Sequence, residues 1–164
     1  MKEPAFLEIV KRFEKGIIKA STFREEVKNY LNISISDAFF DEMWNSMLYD
    51  IPERRINLVK QLKQNYHVYL LSNTNEIHWQ KAVDCFFPYQ GFGVEDYFER
   101  IFLSYRMHLV KPDHKIFTTM LHDAGIVAAE TLFIDDSPAN CAAARDLGIQ
   151  VLLSPAGDDW TDKL

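Results

Sequence analysis

The stretch Val68-Tyr69-Leu70-Leu71-Ser72-Asn73-Thr74-Asn75 decides the fold, because an apolar run is followed at once by a polar loop. A short, continuous apolar run predicts a strand that is buried on both faces, as in parallel sheets. Similar runs occur at residues 101–103, 131–134 and 149–153, and helical patterns lie between them. Alternating strands and helices predict an α/β fold with an open, Rossmann-like parallel sheet.

The N-terminal region carries helical periodicity instead. Its first apolar residues recur at spacings of four, three and four, which is typical of an amphipathic helix: Phe6, Val10, Phe13 and Ile17. A capping box at Ser21-Thr22 and Glu25 predicts the start of a second helix, and Ser36-Asp37 and Pro52 predict two more. We therefore expect a helical cap subdomain over residues 1–52 and an α/β core over residues 53–164.

Composition and net charge limit the classes of protein to which the chain could belong. The 164 residues include 48% hydrophobic and 26% charged residues, as in a globular domain, and the net charge of −6 argues against a nucleic-acid partner. No apolar run approaches the ~20 residues that cross a bilayer, and no signal peptide is evident. We expect a cytoplasmic protein without a membrane partner. The two cysteines, Cys85 and Cys141, lack metal-binding spacing and are expected to be reduced structural thiols.

An acidic pair, Asp135-Asp136, follows the strand predicted at residues 131–134. Ligands of open parallel sheets bind beyond the carboxyl ends of the strands. Adjacent carboxylates repel one another, and a divalent cation such as Mg²⁺ compensates that repulsion. The alternative is that one aspartate only caps the next helix, although Ser137-Pro138 already supplies a cap and a first-turn proline.

Other polar residues suit an anionic ligand. Ser72-Asn73 offers small polar groups and loop N–H groups to an anionic oxygen, although the same pair is ordinary turn chemistry. Lys111 is suited to neutralise developing negative charge, although a lone lysine is more often solvated surface. The sequence contains no GxxxxGK[ST], GxGxxG or GxSxG, which argues against P-loop NTPases, dinucleotide-binding proteins and α/β-hydrolases.

In chain order, Ser72-Asn73, Lys111-Pro112, Phe133-Ile134-Asp135-Asp136-Ser137 and residues 142–148 (AAARDLG) resemble the haloacid dehalogenase-like (HAD) hydrolase superfamily. Residues 71–78, LSNTNEIH, are similar to its branch of bacterial sugar-phosphate phosphatases. The resemblance implies a HAD-like core with a small N-terminal cap. It also implies a Mg²⁺-dependent phosphatase, rather than a dehalogenase, whose substrate is a small phosphorylated metabolite.

The resemblance further implies individual roles. Ser72 would bind the transferring phosphoryl group with the help of Asn73, and Lys111 would steady the phosphate and the nucleophile. In the pair Asp135-Asp136, the second residue would ligate Mg²⁺ and the first would be a further ligand or support it. Asn140 would lie near the site on the following helix.

Two departures from the family pattern stand out. His108 occupies the position, three residues before the lysine, where the family often has glycine. The family's nucleophile is the first aspartate of Asp-x-Asp on a strand that is central to the sheet, and no Asp-x-Asp occurs in these 164 residues. We therefore expect an incomplete chain, from an internal Met start or a truncated gene product. Without an aspartyl-phosphate intermediate, we expect negligible phosphatase activity.

Two other functions remain to be weighed. A non-catalytic descendant of the fold would bind phosphorylated ligands or a protein partner. A receiver-like signalling domain also combines acids, Ser and Lys, but there the acids come first, whereas Ser72 and Lys111 precede Asp135 here. Strand edges left unpaired by a missing strand would favour a homo-oligomer.

Overall fold

The structure is a computed structural model that describes residues 3–155 and 160–163. The chain forms two compact units, Met1–His108 and Leu109–Leu164. Within the described residues, each unit contains a sheet of two parallel strands. The expected α/β fold with short parallel strands is therefore confirmed. None of the helices in the described ranges is both long and apolar enough to cross a bilayer.

The first unit opens with helices and continues with strands and helices in alternation. Its elements are α1 (Glu3–Glu14), α2 (Ala20–Leu31), α3 (Asp37–Asn45), α4 (Glu53–Leu62), β1 (Tyr69–Ser72), α5 (Glu76–Lys81), α6 (Val94–Tyr97), β2 (Arg100–Leu103) and α7 (Ser104–Met107). A π-helical turn, Ala82–Phe86, extends α5. Strands β1 and β2 pair in parallel with Ser72 opposite Leu103, so the polar loop starts at the carboxyl end of the sheet.

Two apolar clusters hold the first unit together. In one, helices α1 and α2 meet through the stacked rings of Phe13 and Phe23, whose centroids are 4.1 Å apart. Ile77 of α5 belongs to this cluster, whereas Trp79, two residues later, belongs to the second cluster, with Leu103 at the end of β2. Helix α5, which follows the polar loop, is therefore fixed from both sides.

Helix α2 begins differently from the prediction. Its N-cap residue is Lys19, which makes no side-chain cap, and the N–H of Ala20 donates to Oε2 of Glu76 at 3.2 Å. The capping box predicted at Ser21-Thr22 and Glu25 was wrong. The helix starts before that box, and a carboxylate from α5 accepts the N–H of its first residue.

The apolar side chains of α3 divide between core and surface. Phe40 is 4% exposed and belongs to the cluster of Phe13 and Phe23, against which Trp44 also packs. Phe39 and Met43, in contrast, are each about half exposed, as is Met47 in the turn after the helix. Only some of these apolar side chains are therefore used for packing in the described structure.

The second unit consists of a parallel strand pair with helices. Its elements are α8 (His114–Ala124), a 3₁₀ turn (Ala128–Glu130), β3 (Leu132–Asp135), α9 (Pro138–Asp146), β4 (Gln150–Leu153) and a second 3₁₀ turn (Trp160–Lys163). Helix α9 packs on both strands, and the rings of Phe117 and Phe133 meet edge to face at 5.3 Å. Asp135 pairs with Leu153 as the last residue of β3, one residue later than the predicted strand end.

Candidate functional site

Ser72 and Asn73 lie where the first sheet ends. Ser72 is the last residue of β1 and is half-buried, and Asn73 is exposed in the loop that leads to α5. Asn75 closes this loop: it is 1% exposed, and its Oδ1 accepts the N–H of His78 at 3.0 Å. The loop therefore lies at the carboxyl end of a parallel strand, where open sheets bind their ligands.

Lys111 and Asp135 form a buried ion pair in the second unit. The Lys111 Nζ lies 2.6 Å from Oδ2 of Asp135, and the side chains are 8% and 7% exposed. The expectation that a lone lysine is solvated surface does not hold for Lys111. An ion pair removed from water is favourable only when its geometry is good and further hydrogen bonds satisfy the charges.

Asp135 makes those further hydrogen bonds through its other oxygen. Oδ1 accepts the N–H of Ser137 at 2.9 Å and Nδ2–H of Asn140 at 2.8 Å. Ser137 is the N-cap of α9 and Pro138 its first residue, as predicted. Asp135 thus holds the start of α9 and the Lys111 ammonium at once, and the structure brings Asn140 into the same cluster.

Asp136 differs from its neighbour because it is exposed. The described ranges contain no group of three or more His, Cys, Asp or Glu residues arranged to hold a metal ion. Mg²⁺ commonly takes only one or two carboxylates in a protein, together with water and phosphate oxygens. The donor chemistry of the acidic pair fits this ion, with Asp136 offering the accessible carboxylate and Asp135 supporting it.

Two buried residues lie beside these motifs, and one of them, Ser104, was missed by sequence reasoning. The Sγ of Cys141 lies 3.7 Å from the carbonyl oxygen of Asp135, and burial, followed by the Asp135 charge, raises the pKa of this thiol. Ser104, at the start of α7, is 0% exposed and hydrogen-bonds to the loop after Ser72. No local sequence signal marks Ser104, because its contacts depend on strands and helices brought together by the fold.

The fold and these motifs define a family. Residues 4–148 match the model of the haloacid dehalogenase-like hydrolases, and the chain belongs to this family of hydrolases. It is 30% identical, over 156 residues, to D-ribitol-5-phosphate phosphatase from Bacteroides thetaiotaomicron. That alignment covers 95% of this chain and 76% of the phosphatase. The family resemblance drawn from the sequence is therefore confirmed.

Solved structures agree with this assignment. A HAD family enzyme from Bacteroides thetaiotaomicron superposes with a TM-score of 0.94 at 45% identity, covering 95% of this chain and 77% of that one. The wild-type form of that enzyme in complex with magnesium and inorganic phosphate gives a TM-score of 0.93. A HAD-like hydrolase from Porphyromonas gingivalis gives 0.89 at 29% identity, covering 94% and 76%.

Proposed function

We propose that this chain carries the phosphate- and magnesium-binding residues of a cytoplasmic HAD phosphatase whose substrate is a small phosphorylated metabolite, such as a sugar or polyol phosphate. The observation that carries the proposal is the buried contact of Lys111 with Asp135 beside the exposed Asp136. The similarity to a ribitol-phosphate phosphatase supports the substrate class.

The proposed roles follow the chemistry of each residue. Ser72 and Asn73 bind oxygens of the phosphoryl group, and Lys111 neutralises its negative charge. Asp136 ligates Mg²⁺, and Asp135, held by Asn140, fixes the orientation of the acidic pair. Bound Mg²⁺ would supply positive charge to the phosphoryl oxygens. Because Asp135 is hydrogen-bonded through both oxygens, its position is set before a ligand binds.

These 164 residues differ from the family pattern in the motif that carries the nucleophile, since they contain no Asp-x-Asp. Phosphate-monoester hydrolysis is so slow that enzymes supply up to ~10²¹-fold acceleration. We therefore propose that this 164-residue chain binds its ligand with negligible hydrolysis. The same observation favours a second candidate, a non-catalytic descendant that binds phosphorylated ligands.

The test of binding uses D-ribitol 5-phosphate in the presence of Mg²⁺, with ribitol as the matched control that lacks the phosphate. We expect the phosphate ester to bind at least about tenfold more tightly, because charge-assisted hydrogen bonds go to the phosphate. Equal affinities would refute phosphate recognition. Mg²⁺-dependent release of phosphate that disappears in Asp136→Asn would refute the proposed lack of turnover.

The coding sequence directly before the Met1 codon distinguishes the two candidate functions. An in-frame apolar strand that ends in Asp-x-Asp would support the phosphatase. An in-frame stop codon without that motif would support the non-catalytic binding protein.

A further inference from the structure

Ser104 occupies a fully buried position at the junction of β2 and α7, with 0% exposure. Its Oγ accepts the N–H of Thr74 at 2.9 Å. The same hydroxyl is a donor within reach of two carbonyl oxygens, those of Thr74 and Glu14, each at 2.8 Å. One buried hydroxyl thus connects three backbone groups from two distant parts of the chain.

Thr74 lies two residues after Ser72, in the middle of the loop between β1 and α5. Ser104 contacts both its N–H and its carbonyl group, whereas Asn75 fixes the other end of the loop by capping α5. Ser104, which directly follows β2, therefore helps to set the direction in which the backbone N–H and carbonyl groups of residues 73–75 point. Such a loop binds an anion only if its groups are held in the required directions.

The other part of the chain that Ser104 contacts is the end of α1, together with the turn that follows it. Gly16 adopts φ +65°, and a Cβ at this position would collide with the carbonyl oxygen of Tyr105 in α7. The ring Nδ1 of His108 lies 2.9 Å from the carbonyl oxygen of Lys15. His108 has a φ of 58°, in the left-handed region that favours glycine. The turn after α1 therefore lies directly against α7, and His108 adds a second contact to that of Ser104.

We infer that Ser104 is a positioning residue that holds the loop of residues 73–75 against the end of α1, an inference that rests on the proposed role of Ser72 and Asn73 in binding phosphate. Removal of the hydroxyl leaves the buried N–H of Thr74 without its acceptor and takes away the one O–H donor that the carbonyl groups of Thr74 and Glu14 share. The loop then loses its fixed direction while the helices around it remain packed.

The experiment compares Ser104→Ala with Thr131→Val, which removes a hydroxyl that donates to the carbonyl of Val127 at 2.8 Å in the second unit. Amide hydrogen exchange of residues 73–75 and the Kd for inorganic phosphate with Mg²⁺ are measured in both. We expect Ser104→Ala to accelerate exchange in this loop and to weaken phosphate binding, each by about tenfold or more. Thr131→Val should change both by less than about twofold.

A third variant, Ser104→Cys, keeps the side-chain size and a weak donor, and we expect it to lie between wild type and Ser104→Ala in both measurements. If Ser104→Ala does not fold, the rate of amide hydrogen exchange of residues 73–75 in Ser104→Cys decides whether the inference holds. If amide exchange of residues 73–75 and phosphate affinity in Ser104→Ala matched those in Thr131→Val, the inference would be overturned. Absence of phosphate binding by the wild-type chain would overturn the proposed function instead, and faster loop exchange would still support the positioning role of Ser104.

Discussion

Lys111 places its Nζ 2.6 Å from Oδ2 of Asp135, and both side chains are almost completely buried. Burial makes this contact different from the ion pairs on the protein surface, because both charges have lost their hydration. Two further hydrogen bonds, from Ser137 and Asn140, satisfy the Asp135 carboxylate. The pair therefore holds the start of α9 and the acidic pair in one arrangement.

Replacement of Lys111 should destabilise the fold strongly. Lys111→Met leaves the buried Asp135 carboxylate without its cation, which typically costs about 3–5 kcal/mol. Urea denaturation measures this loss as a lower midpoint. Lys28→Met is the matched control, because Lys28 contacts Asp37 at the same 2.6 Å but the Asp37 side chain is 65% exposed. Equal destabilisation by the two substitutions would show that burial of the Lys111 pair has no energetic consequence.

Asp136→Asn should separate metal binding from folding. We expect Mg²⁺ affinity to fall at least about tenfold, because the accessible carboxylate is lost. The unfolding free energy should stay within about 0.5 kcal/mol of wild type, because the side chain is exposed. Titration with Mg²⁺ and urea denaturation measure the two effects. Glu130→Gln, an exposed carboxylate before the opposite end of β3, is the control, and equal Mg²⁺ affinities in both variants would exclude Asp136 as a ligand.

The helix starts can be tested with two serine substitutions. Ser36 Oγ accepts the N–H of Phe39 at 3.2 Å as the N-cap of α3, so Ser36→Ala should lower the unfolding free energy by about 1 kcal/mol. Ser21 lies inside α2, whose first N–H is bound by Glu76, so Ser21→Ala should have almost no effect. Thermal or urea unfolding checks both, and a larger loss for Ser21→Ala would restore the capping box predicted from the sequence.

Acidification should destabilise the protein through His78. Burial lowers the pKa of His78 from its ordinary value of 6.5, although a hydrogen bond to the Trp44 carbonyl opposes the shift. The ring stacks on Trp44, and its Nδ1 lies 3.2 Å from Nδ2 of Asn75, which favours the neutral form. As the pH falls below 6.5, the unfolded chain takes up a proton that the folded chain excludes, so stability decreases.

The measurement for His78 is the unfolding free energy as a function of pH. In His78→Gln, the loss of stability below pH 6.5 should be smaller than in wild type, because the titrating group is absent. His122→Gln, at a ring that is 88% exposed, is the matched control for replacing a histidine by glutamine outside the core. If His78→Gln and wild type lost stability in parallel, a different group would be responsible.

The sequence predicted what depends on local patterns. Each strand was found from its apolar run, and the helix start at Ser36 from its capping residue. Contacts between distant residues could not be predicted in this way. Glu76 binds the N–H of Ala20 from 56 positions away, and the burial of Lys111 depends on an aspartate 24 positions further on. Periodicity also could not show which apolar residues of α3 remain exposed.

The most direct test of the proposed site is a titration of inorganic phosphate into the chain with and without Mg²⁺, for wild type and for Asp136→Asn. We predict that the wild-type chain binds phosphate in the presence of Mg²⁺. Removal of Mg²⁺ or of the Asp136 carboxylate should each weaken that binding at least about tenfold. Phosphate binding that is absent from the wild type, or unchanged by either removal, would contradict a magnesium-dependent phosphate site at these residues.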